Sequence, residues 1–157
     1  MHFELSKVLV PVSFSPGSKR ALEVGSALAE SCGADLLVLH VIHDPFGTEG
    51  LHLPFVYVKQ QEWERHRKKV TEELHELIRE KEELGLSVKE LVAEGEPTQK
   101  ILEVIQEEGV DLLVLHHHPA GWLDRLLTGH DPRRLVERAP CHVLMVHAPQ
   151  VAGEESG

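Results

Sequence analysis

Short apolar runs alternate along this chain with segments of helical periodicity, and this alternation restricts its fold more than any other feature. The apolar runs, each of strand length, are residues 7–12, 35–42, 112–115 and 143–146, and residues 86–92 form a more polar strand that is expected nearer a sheet edge. The helical patterns are residues 18–31, 60–84 and 98–108, with a short helix starting at Pro132. Strands that are apolar on both faces are typical of parallel sheets covered by helices on both sides. The sequence therefore predicts an α/β domain with a parallel sheet.

Size and composition favour one domain. A chain of 157 residues can bury roughly 65–70% of its unfolded surface, which is enough for one full core. The domain is predicted to span residues 1–148, with residues 149–157 as a disordered tail. No signal pattern or membrane-length apolar run is present, so a cytoplasmic location is expected. The net charge of −10 excludes a broad nucleic-acid partner, and 21 Glu with no Asn fits a thermophile.

The helical pattern of residues 18–31 predicts which side chains face the core. Ala21, Val24, Leu28 and Cys32 recur at a spacing of three to four residues, which places them on one helix face. Cys32 and Cys141 both lie in apolar contexts without a C-x-x-C spacing. We therefore expect two core thiols rather than a disulfide.

Several separate segments of the chain resemble the universal stress protein family. The segment KVLVPVSFSPGSKRAL resembles the family's opening K-[IV]-L-V-P-[VT]-D-x-S, and RAPCHVLMV matches its closing [RH]-[AS]-P-C-P-V-L-V-V. LLVLHVI resembles the family's second strand, and VAEGEPTQKILEVIQEEGVDLLVL resembles its unit from third to fourth strand. The resemblance extends over about residues 5–147 and includes the segment that carries the family's phosphate-binding signature.

The resemblance implies a fold and the location of a ligand crevice. The implied fold is a five-stranded parallel sheet of order 3-2-1-4-5 with helices on both faces, called adenine nucleotide alpha hydrolase-like. The family also dimerises, and one branch of it binds ATP. In such a sheet the ligand lies beyond the carboxyl ends of the strands where their order reverses, here between strands one and four. The crevice positions are Pro11, Val12, Ser13, Val41, Leu115, His116, Pro119, Gly129, His130 and Asp131.

The phosphate-binding signature is altered in this chain. In the ATP-binding branch it reads G-x-x-G, then nine intervening residues, then G-[S/T]. The matching positions here are His116, Pro119, Gly129 and His130. Only Gly129 is retained. Pro119 lacks an N–H group and has a fixed φ, so it cannot act as part of a glycine nest around a phosphate. Ser13 stands where ATP-binding relatives have an Asp that accepts from the adenine amino group.

Asp131 is expected to compete with a bound phosphate. The order Asp131-Pro132 predicts a helix start, with the carboxylate as N-cap and proline at the first helical position. A capping carboxylate accepts from N–H groups that a phosphate would otherwise use, and it neutralises part of the positive helix end. We therefore expect weak triphosphate affinity.

Histidines at predicted strand ends offer a different ligand class. His116, His118 and His130 are the candidate ligands for a transition metal, since imidazole nitrogens bind zinc well. Alternation along an extended segment directs His117 away from its two neighbours. A polar side chain bonded to a loop carbonyl is the alternative role for each of these residues.

The last predicted strand is expected to form a dimer interface. It begins at Cys141, ends at His147, and by the family order lies at a sheet edge. It has no Lys, Pro or bulge signal, and an uncovered apolar edge is normally paired or blocked. Antiparallel pairing with a two-fold mate would satisfy its open backbone groups.

The expected function is a binding or regulatory module in stress response, and not an enzyme. No catalytic motif is present, and Glu94 and Glu96 are expected to precede and cap the helix at Pro97. The alternative is an ATP- or AMP-binding protein with slow ATPase or phosphate-transfer activity. A third hypothesis is a histidine-rich crevice that binds a metal. No bound cofactor is expected, with ATP, AMP or zinc as the alternatives, and the expected partner is a second copy of the chain.

Overall fold

The predicted parallel sheet of five strands is present. The computed structural model describes residues 4–14, 16–42, 56–117 and 132–147. Its strands, all paired in parallel in the order β3-β2-β1-β4-β5, are β1 (Lys7–Pro11), β2 (Asp35–Ile42), β3 (Val88–Glu94), β4 (Leu112–His117) and β5 (His142–His147). The order 3-2-1-4-5 is therefore confirmed. The predicted tail, residues 149–157, lies outside the described residues.

Helices cover both faces of the sheet. The helices are α1 (Pro16–Cys32), α2 (Val56–Glu83), α3 (Pro97–Glu108) and α4 (Pro132–Arg138). Successive side chains of a strand alternate between faces, so Val8 and Val10 lie in the core under α1 and α2 while Leu9 lies in the core under α3 and α4. Two cores of buried aliphatic side chains thus hold the strands in place. No helix among the described residues is both long and apolar enough to cross a membrane.

The predicted core-facing side of α1 is confirmed in part. Ala21 is buried, and Val24 and Leu28 are partly buried and pack against the core, whereas Cys32 is exposed and so is not a core thiol. The buried side also includes Gly25, where an added β-carbon would lie 2.5 Å from Val10 Cγ2. Cys32 was wrongly placed and Gly25 was missed because the prediction used large apolar side chains as markers. Here α1 contacts the sheet through small residues that allow close approach.

Helix α2 begins earlier than predicted. The helical pattern was predicted to start at residue 60, but residues 56–59 also belong to α2. Once a helix is nucleated, each further residue costs little, so the valines and tyrosine there extend it despite their low propensity. The preceding residues 43–55 lie outside the described residues.

Glu96 caps α3 as predicted. Its carboxylate accepts from the N–H groups of Thr98 at 3.2 Å and Gln99 at 2.7 Å, and Pro97 occupies the start of the helix. Glu94 has another role, because it ends β3 and pairs with Arg67 of α2 at 3.1 Å. The two carboxylates therefore do not act as an acid/base pair.

Removing the cap should weaken the fold measurably. We expect Glu96→Ala to lower the free energy of unfolding by about 1 kcal/mol, since two helix N–H groups lose their acceptor. Glu96→Asp is the matched control because aspartate is itself a preferred capping residue, and it should keep most of that stability. Urea unfolding measures both, and equal stability of Glu96→Ala and the parent chain would contradict the capping role.

Candidate functional site

The sheet reverses its order between β1 and β4, and their carboxyl ends form the candidate site. Strand β1 is paired with β2 on one side and with β4 on the other. Because all strands are parallel, their carboxyl ends meet at one edge of the sheet. A crevice is expected there in an open α/β sheet. The described crevice positions at this edge are Pro11, Val12, Ser13, Val41, Leu115 and His116.

Most of these residues are packed into the protein. Pro11, Val12 and Leu115 are buried, and the side chains of Val12 and Leu115 belong to the two cores on opposite faces of the sheet. Ser13 and Val41 are half-buried. The aliphatic members therefore shape the floor of the crevice and offer a ligand little polar chemistry.

His116 lies under the start of α1. Only 3% of its surface is exposed, and an added β-carbon at Gly17 would lie 2.9 Å from its Cδ2 atom. A residue without a side chain at position 17 is what allows the ring to fit there. The imidazole thus fills space beside the helix end where the ATP-binding branch has only backbone.

The backbone at the end of β1 is already hydrogen-bonded. The Ser13 N–H donates to Ser18 Oγ at 2.9 Å, and the Val12 N–H donates to the Leu39 carbonyl at 2.8 Å. The Val12 carbonyl accepts from His40 Nδ1 at 2.7 Å. These groups at the crevice edge therefore have protein partners, and a ligand would have to displace them.

His40 and Phe14 form a ring pair beside this edge. Their ring centroids are 4.9 Å apart, and Phe14 has a φ of 64°, an uncommon backbone conformation for a bulky residue. The hydrogen bond from His40 to the Val12 carbonyl holds its ring in place. The contact of His40 with Phe14 was not predicted from the sequence. The parallel pairing of β1 with β2 places His40 beside Val12, the residue after Pro11. The contact could therefore have been found from the pairing of these two predicted strands.

Burial lowers the pKa of His40 from its ordinary value of 6.5. The hydrogen bond to the Val12 carbonyl opposes this shift, His66 adds to it, and Glu73 opposes it. Because the folded protein binds this proton less tightly than the unfolded chain, protonation favours unfolding. The stability from this group is fully present above about pH 6.5 and is lost as the pH falls from there through the folded pKa.

A substitution at His40 tests this pH dependence. The free energy of unfolding of the parent chain should decrease from about pH 7.5 to about pH 5, and His40→Gln should reduce that decrease. Glutamine can still donate to the Val12 carbonyl but does not titrate. His142→Gln, at an exposed position, corrects for the loss of one imidazole. Identical pH profiles for the parent chain and His40→Gln would show that His40 does not contribute.

The remaining predicted site residues fall beyond the part of the chain that the structure describes. His118, Pro119, Gly129, His130 and Asp131 lie outside the described residues. Of the predicted metal set only His116 is described, and it is buried against Gly17. No group of three or more potential metal ligands occurs within residues 4–14, 16–42, 56–117 and 132–147. The metal hypothesis therefore stays a prediction.

The strand order and the covering helices define a doubly wound α/β domain. A family model described as the universal stress protein family matches residues 4–147. The chain is 30% identical over 145 residues to the universal stress protein YxiE of Bacillus subtilis, covering 90% of this chain and 98% of that protein. This chain belongs to the universal stress protein family.

Solved structures agree on the fold. The universal stress protein UspA from Lactobacillus plantarum aligns with a TM-score of 0.74 at 21% identity, over 92% of this chain and 99% of that one. A universal stress protein family protein from Arabidopsis thaliana, solved with AMP bound, aligns with a TM-score of 0.61 at 19% identity, over 92% of each chain. At these identities the likeness concerns the fold alone.

Proposed function

We propose that this universal stress protein is a binding or regulatory module whose crevice has little affinity for ATP. The observation that carries the proposal is the packing of His116 under the start of α1, where its ring contacts Gly17. In the ATP-binding branch the first signature glycine lets the backbone approach the phosphates. Here a buried ring occupies that position, so a triphosphate would have to displace a packed side chain.

The hydrogen bonds at the end of β1 support the same proposal. Ser13 replaces the adenine-contacting carboxylate, and its own N–H is bonded to Ser18 Oγ. The Val12 carbonyl is bonded to His40. If a ligand takes over one of these hydrogen bonds, the displaced protein group needs a new partner, because an unsatisfied buried polar group costs about 1–3 kcal/mol. Weak nucleotide binding follows from this competition.

The mass of whatever co-purifies with the protein tests the proposal. Protein purified without added nucleotide is denatured, and the soluble extract is analysed by mass spectrometry. We expect less than a stoichiometric amount of ATP, ADP or AMP. The relative from Arabidopsis thaliana, prepared in parallel, shows whether AMP survives the procedure. Near-stoichiometric adenine nucleotide from this chain would contradict the proposal.

The second candidate function is AMP or ATP binding with slow ATPase or phosphate-transfer activity. The AMP in the Arabidopsis thaliana structure favours it, since that protein shares this fold over 92% of the chain. Gly129 is the signature residue that the sequence retains for such a role. Nucleotide in the extract, followed by phosphate release on incubation with ATP and magnesium, would favour this candidate over the first.

We also propose that the protein forms a homodimer through β5. Among the described strands, β5 is hydrogen-bonded to β4 alone, and its Val143, Leu144 and Met145 are only partly buried. The His142 N–H donates to the Asp111 carbonyl on the β4 side, so by alternation the N–H groups of residues 143 and 145 point away from β4. Those outward groups are available for antiparallel pairing with a second copy.

A proline at an outward position should separate the dimer. Met145→Pro removes one outward N–H group and leaves the ladder with β4 intact, a placement that edge strands tolerate. We expect a dimer for the parent chain and for the control Met145→Leu at micromolar concentration, and a folded monomer for Met145→Pro. Light scattering gives the mass, and circular dichroism verifies the fold. A monomeric parent chain would contradict the dimer proposal.

A further inference from the structure

Two exposed histidine side chains meet at the carboxyl ends of β4 and β5. His117 and His147 are register partners on these neighbouring parallel strands. Their ring centroids are 5.0 Å apart and their planes are inclined by 67°. Leu115 and Met145, two residues earlier in each strand, belong to the core under α3 and α4, so both histidines lie on that face of the sheet. His116 points to the opposite face, toward α1.

We infer that His117 and His147 form a two-imidazole site for a transition-metal ion. Imidazole nitrogens bind copper, nickel and zinc ions at about 2.0–2.1 Å. Two imidazoles that share one ion in tetrahedral or square-planar geometry then have ring centroids roughly 4.5–5.2 Å apart. The observed 5.0 Å falls within that range. Rotation about each metal–nitrogen bond accommodates the angle between the planes.

The sheet itself holds the two rings in this arrangement. Six residues of β4 are paired in register with six residues of β5, from Leu112 with His142 to His117 with His147. This ladder orders the two strand ends before an ion binds, which lowers the entropy cost of bringing two ligands together. Neither ring forms a hydrogen bond or ion pair with another residue that the structure describes. Among the described residues, an incoming ion therefore has to displace only the contact between the two rings.

The site is distinct from the crevice and from the metal set predicted by sequence. It uses His117, which alternation along the chain had set apart from His116 and His118. Two protein ligands leave further coordination positions for water, and such an open site favours ions that bind imidazole strongly. Copper(II) is the strongest binder among the divalent ions of the first transition row, so it is the probe to use.

Copper titration of the purified full chain tests the site. We expect one copper(II) ion per chain, with electron paramagnetic resonance showing two nitrogen ligands. His117→Ala and His147→Ala should each weaken binding by at least ~10-fold, because either change leaves a single imidazole. The double substitution should add little to either single one. His142→Ala is the matched control, since it removes an exposed histidine from the other end of β5 and should leave copper affinity unchanged.

The same experiment can overturn the inference. Unchanged copper affinity in either His117→Ala or His147→Ala would show that the two rings do not share an ion. A spectrum with one nitrogen ligand in the parent chain would show the same. Urea unfolding verifies that the variants keep their fold, which is expected because both side chains are exposed.

Discussion

A variant with the ATP-binding signature restored should bind ATP at least ~100-fold more tightly than the parent chain, which corresponds to roughly 2.7 kcal/mol. Its substitutions are Ser13→Asp, His116→Gly, Pro119→Gly and His130→Ser. The aspartate supplies the acceptor for the adenine amino group. The two glycines open the backbone to the phosphates, and the serine adds a hydroxyl donor. Removal of the buried His116 ring contributes most, because it vacates the space beside Gly17.

A matched variant tests whether the space that opens at position 116 raises ATP affinity, or whether the other three substitutions are enough. It carries the same changes except that His116→Leu replaces His116→Gly, so that an apolar side chain still fills the position under α1. We expect this variant to bind ATP no better than the parent chain. Calorimetric titration with ATP and magnesium gives both affinities, and urea unfolding verifies both folds. Equal affinities for the two folded variants would show that the buried ring does not limit binding.

Gly25→Ala should lower the free energy of unfolding by about 2 kcal/mol. The added β-carbon would lie 2.5 Å from Val10 Cγ2, well inside van der Waals contact, and Val10 is a fully buried side chain in the middle of β1. Overpacking of this kind typically costs about 1–3 kcal/mol or somewhat more. The better helix propensity of alanine returns up to about 1 kcal/mol. The net effect remains clearly destabilising because valine has a stiff side chain.

A double-mutant cycle tests the cause of that loss. Val10→Ala alone leaves a cavity and should itself destabilise the fold. In the double variant the new methyl group at position 25 enters the space that Val10 vacates. We therefore expect the double variant to be more stable than the sum of the two single effects predicts, by at least ~1 kcal/mol. Strict additivity would show that the β-carbon and Val10 do not collide.

The strands were predictable from sequence because their signal is local. Four of them are continuous apolar runs, as a parallel sheet covered on both faces requires, and the more polar β3 lies at a sheet edge. Periodicity does not specify the order of the strands, which was predicted from the resemblance to the family. The contact face of α1 was predicted only in part, since Gly25 and Ser26 carry no apolar signal although both are buried there. How closely a helix approaches a sheet depends on the side chains of both, so the sequence of the helix alone does not predict it.

The location of the site could be predicted from the sequence, but the surroundings of its side chains could be predicted only in part. Strand ends and the reversal of strand order place Ser13 and His116 at one edge of the sheet. What surrounds each side chain depends on three-dimensional contacts that the sequence does not encode locally. The burial of His116 against Gly17 and the bond from His40 to the Val12 carbonyl are of this kind. Together with the altered signature, these contacts support the proposal that ATP binds weakly.

Calorimetric titration of the parent chain with ATP and magnesium at about pH 7.5 tests the central claim most directly. At the described edge of the crevice the ring of His116 is buried, and the Val12 carbonyl already accepts a hydrogen bond from His40. We therefore expect no binding in the micromolar range. A dissociation constant in the micromolar range or tighter would contradict this account of the crevice.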